Sequence, residues 1–125
     1  MNDQVNQLTE KVIGAAIEVH RELGPGLLES AYQRALAYEL RLREVAFEEQ
    51  KLCPIKYKGL VIEDAYRLDF LIGGTVVVEL KTVDSLLDVH DAQVLTYLKF
   101  TGCHIGLLLN FRSTVLIRGL RRLAL

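Results

Sequence analysis

Several things are scarce in this 125-residue chain, and each scarcity excludes something. No apolar run approaches the length of a bilayer-spanning helix, so a membrane role is not expected. The first residues, Met1-Asn2-Asp3-Gln4, lack the basic-then-apolar layout of a secretory signal, which points to a cytoplasmic protein. There are two cysteines, Cys53 and Cys103, isolated from each other and from any histidine at metal-ligand spacing. They read as reduced thiols rather than a disulfide or a zinc site. The three histidines, His20, His90 and His104, are too dispersed to form a zinc set. No phosphate-cradling glycine loop of the P-loop or dinucleotide type occurs, and Ser30 has no nucleophile turn around it. ATP-driven, redox and serine-hydrolase chemistry are therefore without support.

What is present is a chain half hydrophobic and one quarter charged, enough for one folded domain over residues 1–125. The net charge of −1 does not announce a nucleic-acid binder, but its distribution is uneven. Residues 92–125 carry Lys99, Arg112, Arg118, Arg121 and Arg122 and no acid. Such a stretch can either attract phosphate or form a solvated edge.

Apolar spacing predicts a helix over 8–23, broken by Gly24-Pro25-Gly26, and a second over 27–43. Residues 45–49 read as a connection or short strand. Strands are expected over 52–57 and 60–66 around a Lys58-Gly59 turn, and over 67–72 and about 76–81 around glycines 73 and 74. A helix over 90–101 should stop at Gly102, followed by strands over 104–110 and 114–120. This order implies an α/β (α+β) fold with a mixed central sheet flanked by helices.

The most informative stretch is Arg67-Leu68-Asp69-Phe70-Leu71-Ile72-Gly73-Gly74-Thr75-Val76-Val77-Val78-Glu79-Leu80-Lys81. Its Asp, Glu and Lys sit in β-branched, apolar sequence, where a charge is costly unless something satisfies it. Alternation places Val77, Glu79 and Lys81 on one face and Val76, Val78 and Leu80 on the other. The turn decides where Asp69 falls. A two-residue Gly73-Gly74 loop sends Asp69 and Glu79 to opposite faces, whereas a three-residue loop through Thr75 pairs Ile72 with Val76 and sets the carboxylates opposite each other. Two adjacent carboxylates repel, and a hard divalent ion such as Mg²⁺ relieves this while polarising a phosphate. A lysine on the same face could orient the attacking water. A cross-strand salt-bridge cluster is the alternative reading of the same spacing.

Two further segments carry polar groups at helical spacing. Glu29 opens the second helix, where it could serve a capping box or face a ligand. Gln93 and Tyr97 lie four apart on the third helix.

Taken together, these residues resemble the GxxExxY protein family. Gly26, Glu29 and Tyr32 match its namesake motif, alongside Arg67-Leu68-Asp69, Glu79-Leu80-Lys81, Gln93 to Leu98, Gly24-Pro25-Gly26 and Leu109-Asn110-Phe111. That family is similar to a small branch of the PD-(D/E)XK nuclease superfamily, which implies a restriction-endonuclease-like core over the whole chain. By this resemblance Asp69 and Glu79 would be metal ligands, with Glu29 completing the set, and Lys81 the catalytic lysine. Gln93 and Tyr97 would match the helix motif of the exonuclease-like branch. One departure is Leu68, where proline often precedes the aspartate. The implied activity is Mg²⁺-dependent phosphodiester hydrolysis, Mn²⁺ substituting, on nucleic acid, DNA in the first instance, with a homodimer as one assembly. The rival is a catalytically silent nuclease fold that binds nucleic acid or protein.

Overall fold

The computed structural model describes residues 3–125. Two helices, α1 (Asp3–Leu23) and α2 (Glu29–Leu42), precede three strands, β1 (Phe47–Tyr57), β2 (Leu60–Ile72) and β3 (Val76–Lys81). Helix α3 (Asp88–Thr101), strand β4 (Ile105–Asn110), a 3₁₀ turn (Leu116–Gly119) and β5 (Leu120–Ala124) follow. The expected α+β architecture is present, as one five-stranded mixed sheet in the order β1-β2-β3-β4-β5. Only β3 and β4 are parallel, joined by the α3 crossover. Among the described residues no helix is long and apolar enough to cross a membrane.

The sheet separates two apolar layers. On one face Val76, Val78, Leu80, Phe70 and Ile72 pack under α1 and α2 with Ala15, Ala16, Leu36 and Tyr32. On the other, Val77, Leu108 and Leu68 pack against Val94 and Leu98 of α3. The alternation expected for residues 76–81 is therefore the observed one, and both faces of β3 are covered. Gly106 lets α3 lie close, since a Cβ there would stand 2.6 Å from Val94 Cγ1. Neither cysteine is bonded; Cys53 is buried in the α3 layer.

Some boundaries differ from those expected. The segments 60–66 and 67–72 are one continuous strand, because β1 extends from 47 to 57 and pairs with both, across a bulge between Cys53 and Ile55. The chain expected as a strand over 114–120 is mostly a turn, and the last strand begins only at Leu120. Arg121 and Arg122 thus lie in that strand rather than beyond it. Of the two readings of Glu29, the capping box is not formed: the N-cap is Leu28, which offers no side-chain acceptor. The αL stop at Gly102 is present, with φ 77°. His20 does more than complement a helix terminus, since its Nε2 lies 2.7 Å from the Ser113 carbonyl and joins α1 to the loop after β4.

Candidate active site at the fork between two strands

The Gly73-Gly74-Thr75 loop sets the register. Both glycines have positive φ, and Ile72 pairs with Val76, Leu71 with Val77 and Phe70 with Val78. This is the three-residue alternative, the one that carries Asp69 towards Glu79. The β2–β3 ladder stops after these three pairs. Beyond them β2 stays with β1 while β3 stays with β4, so the sheet forks.

Asp69 and Glu79 occupy the fork. The Asp69 backbone N–H donates to Glu79 Oε2 at 2.7 Å, and the Leu80 N–H donates to Asp69 Oδ2 at 2.8 Å. Each carboxylate therefore takes an amide from the opposite strand's side of the fork, where a buried N–H would otherwise lack a partner. Lys81 follows on the same face as Glu79, and its Nζ donates to Gln93 Oε1 on α3 at 3.2 Å. Asn110 fixes the chain as it leaves this strand: its side chain accepts from Val83 N–H and donates to the Val83 carbonyl.

Glu29 arrives from the other layer. It is the first residue of α2, and the loop before it is held by Tyr32. The Tyr32 hydroxyl donates to the Gly24 carbonyl and accepts the Leu27 N–H, while its ring stacks on Phe111 at 4.6 Å. The tyrosine of the sequence motif thus holds the loop that leads into the glutamate, three residues before it. Gly26 has no such role, for a Cβ there meets open space.

Electrostatics show that the six residues singled out from the sequence share one environment. Burial, then the neighbouring Asp69 charge, pushes the Glu79 carboxyl up to about 8, with the Asp69 amide and Lys81 opposing. Burial also raises Asp69, against the pull of the Leu80 amide, Gln50 and Lys81. Glu29 is exposed as a residue, yet partial burial of its carboxyl and the Asp69 charge raise it, and Lys81 lowers it. Tyr97 is raised by burial and by Glu79 and Asp69, with Gln93 opposing; its ring stacks on Tyr66 at 4.9 Å.

Sequence reasoning missed Gln50. The pairs Glu49–Phe70 and Lys51–Leu68 leave Gln50 facing Asp69, and its Nε2 lies 3.4 Å from Asp69 Oδ1. Gln50 has φ +50°, a left-handed conformation that non-glycine residues seldom adopt. Both strands change faces here. Leu68 and Cys53 pack in the α3 layer, whereas Phe70 and Phe47 pack in the α1–α2 layer. A period-2 pattern cannot reveal such a switch; the polar pair Glu49-Gln50 in an otherwise strand-like run is its only trace. Gln33 of α2 adds a contact, its Nε2 lying 3.0 Å from Glu49 Oε2 and 3.5 Å from the Asp69 carbonyl.

A sequence model of the PD-(D/E)XK nuclease superfamily matches residues 6–123. The chain belongs to that superfamily. No curated protein and no solved structure matches it significantly. Membership brings a nuclease-type function, a general use of divalent metal and an association with nucleic acid.

The donors present suit such an ion chemically: all are carboxylate oxygens, two of them crowded and partly desolvated. Among the described residues no three acidic, histidine or cysteine side chains are grouped closely enough to hold an ion as they stand. Burial raises both carboxyls, with the Asp69 charge adding to it at Glu79, and a bound cation would offset that cost of ionisation.

Two of the five cations in the basic C-terminal segment are paired with acids from elsewhere in the fold. Arg112 pairs with Asp84 at 3.2 Å and Arg121 with Asp91 at 2.6 Å. Arg122 reaches Asn6 and Thr9 of α1.

Proposed function

We propose that the chain is a Mg²⁺-dependent nuclease, Mn²⁺ substituting, that hydrolyses phosphodiester bonds of nucleic acid, with DNA as its first substrate. The observation that carries this reading is the meeting, at the β2–β3 fork, of two desolvated carboxylates with a lysine beside them. Asp69 and Glu79 hold the ion in this reading, and Glu29 joins directly or through water. When bound, a divalent ion supplies Lewis-acid stabilisation of phosphate charge and a more acidic water. Lys81, held by Gln93, orients the attacking water and offsets the charge gained by the phosphate. Gln93 and Tyr97 line the α3 side and steady the lysine and the substrate backbone. A chain of 125 residues leaves little room for sequence-reading apparatus, which suits recognition by strand structure or ends more than a long base sequence.

A second reading, a silent nuclease-fold module that binds nucleic acid or protein, draws on the ungrouped carboxylates noted above. Metal titration separates the two. Under the nuclease reading Mg²⁺ or Mn²⁺ raises the thermal midpoint of the wild type but not of Asp69→Ala, and a panel of single-stranded, duplex, branched and RNA substrates is cut only with metal. Indifference of the wild type to both ions, with no cleavage, selects the silent module.

A further inference from the structure

A groove of about 680 Å³ lies outside the fork, between the outer face of α2 and the start of β1. Its walls include Arg34, Tyr38 and Arg41 from α2 and Glu49 from β1. Steps of four and three residues place the first three in one stripe, with the arginines about 10 Å apart along the helix.

Tyr38 is 62% exposed, which is unusual for so large an aromatic side chain. Among the described residues no aromatic ring stacks on it. Arg34 is exposed and, among the described residues, has no ion pair or hydrogen bond. Arg41 is tied only loosely, lying over the Phe47 ring at 5.3 Å and 3.3 Å from Glu49. Glu49, the one acid in the groove, is occupied by Arg41 on one oxygen and Gln33 on the other. The remaining charge is positive and belongs to Arg34.

Resting on the nuclease-type reading of the fork, we propose that this groove binds single-stranded nucleic acid and feeds it to the site, with Tyr38 stacking an unpaired base between phosphates held by Arg34 and Arg41. The continuity is physical. Gln33 touches both Glu49 in the groove wall and the carbonyl of Asp69. The arginine spacing corresponds to roughly three nucleotides of one stacked strand. An exposed aromatic flanked by cations is the arrangement single strands use, because every unpaired base offers a π-face and every linkage a phosphate. A duplex hides those faces, and an acidic peptide would have no use for the exposed ring.

The test is fluorescence anisotropy of the full chain with a labelled thymidine 12-mer, in EDTA so that neither metal nor cleavage contributes. Tyr38→Ala is expected to weaken binding roughly five-fold or more, the loss of one base stack, while Tyr38→Phe retains it. Arg34→Ala is expected to weaken binding and lower the salt-dependence slope by about one. Both side chains are exposed, so the thermal midpoints should match wild type. The proposal is overturned if the 12-mer does not bind, if Tyr38→Ala and Arg34→Ala bind as wild type, if Tyr38→Phe is as weak as Tyr38→Ala, or if duplex or polyglutamate competes as well as unlabelled 12-mer. Its failure is separable from that of the nuclease reading. The groove variants leave the metal-induced thermal shift of the fork untouched, whereas a wild type that shows no such shift but binds the 12-mer through Tyr38 and Arg34 would fail the nuclease reading alone.

Discussion

Asp69 and Glu79 are held ten residues apart in sequence and side by side in space: the Asp69 amide donates to the Glu79 carboxylate at 2.7 Å. That bond favours the ionised glutamate, yet burial and the Asp69 charge outweigh it, and the Glu79 carboxyl rises to about 8. The fork is therefore under electrostatic load.

This load has a pH signature. A carboxyl whose native pKa lies above its unfolded value binds its proton more tightly when folded, so its contribution to stability is present at low pH and lost as pH rises. For Glu79 the window runs from about 4.5 to about 8. In EDTA, urea midpoints should fall across that range and then level off. Glu79→Gln should flatten the decline and be more stable than wild type at pH 8, since an amide oxygen can still accept the Asp69 N–H. A wild-type midpoint that rises between pH 5 and 8 would refute this account.

Gln50 tests whether the fork is held under backbone strain. A non-glycine residue in the left-handed region costs roughly 1–2 kcal/mol, partly offset in glycine by the greater freedom of the unfolded chain. Gln50→Gly should therefore be as stable as wild type or up to about 1 kcal/mol more stable. The same change removes the amide near Asp69 Oδ1. Calorimetric titration should then show weaker Mn²⁺ binding in a protein that is no less stable. A variant that loses stability and keeps its Mn²⁺ affinity would mean that Gln50 serves the fold alone.

The parts of this fold legible in the sequence are those governed by local chemistry. Glycines 73 and 74 marked the turn, and the alternatives for its length bracketed the observed register, because a one-residue slip exchanges the faces of a strand. Val76 to Leu80 alternated as expected because both faces of β3 are buried. What the sequence hid depended on distant partners. The join of residues 60–72 into one strand follows from its pairing with β1, not from its own composition. The neutralisation of Arg112 and Arg121 depends on Asp84 and Asp91, brought close only by the sheet. The face switch at Gln50 and Asp69 has no periodic signal at all. Of the motif residues, Tyr32 bonds the loop before α2 through Gly24 and Leu27, a task that its letter in the string does not reveal.

Tyr32 gives a third prediction. Its hydroxyl makes two bonds to the loop that precedes Glu29, at Gly24 and Leu27, while its ring keeps the Phe111 stack. Tyr32→Phe preserves the ring and removes both bonds at the half-buried Gly24 and the exposed Leu27, a loss of about 0.5–1.5 kcal/mol per bond. Amide exchange should accelerate at residues 26–28 more than in the sheet. If Glu29 contributes to the ion through this loop, Mn²⁺ affinity should drop in Tyr32→Phe as it does in Glu29→Gln. Equal exchange rates in the variant and wild type would show that the loop is held by other contacts.

Lys81 separates binding from chemistry. It stands beside the carboxylates, is held by Gln93 at 3.2 Å, and is no ligand for a cation. Lys81→Met keeps most of the side-chain volume and removes the charge that lowers the Glu79 and Asp69 carboxyls. Two effects should follow together. Metal-dependent cleavage should fall by about 100-fold or more, the scale of losing a positioned charge or proton-transfer partner. The metal-induced thermal shift should persist, since the carboxylates remain and a cation no longer competes with Lys81 for them. Gln93→Leu should show a weaker form of the same pattern, because it frees the lysine without removing it. Cleavage undiminished in Lys81→Met would assign the hydrolysis to a contaminant and leave the fork without a demonstrated reaction.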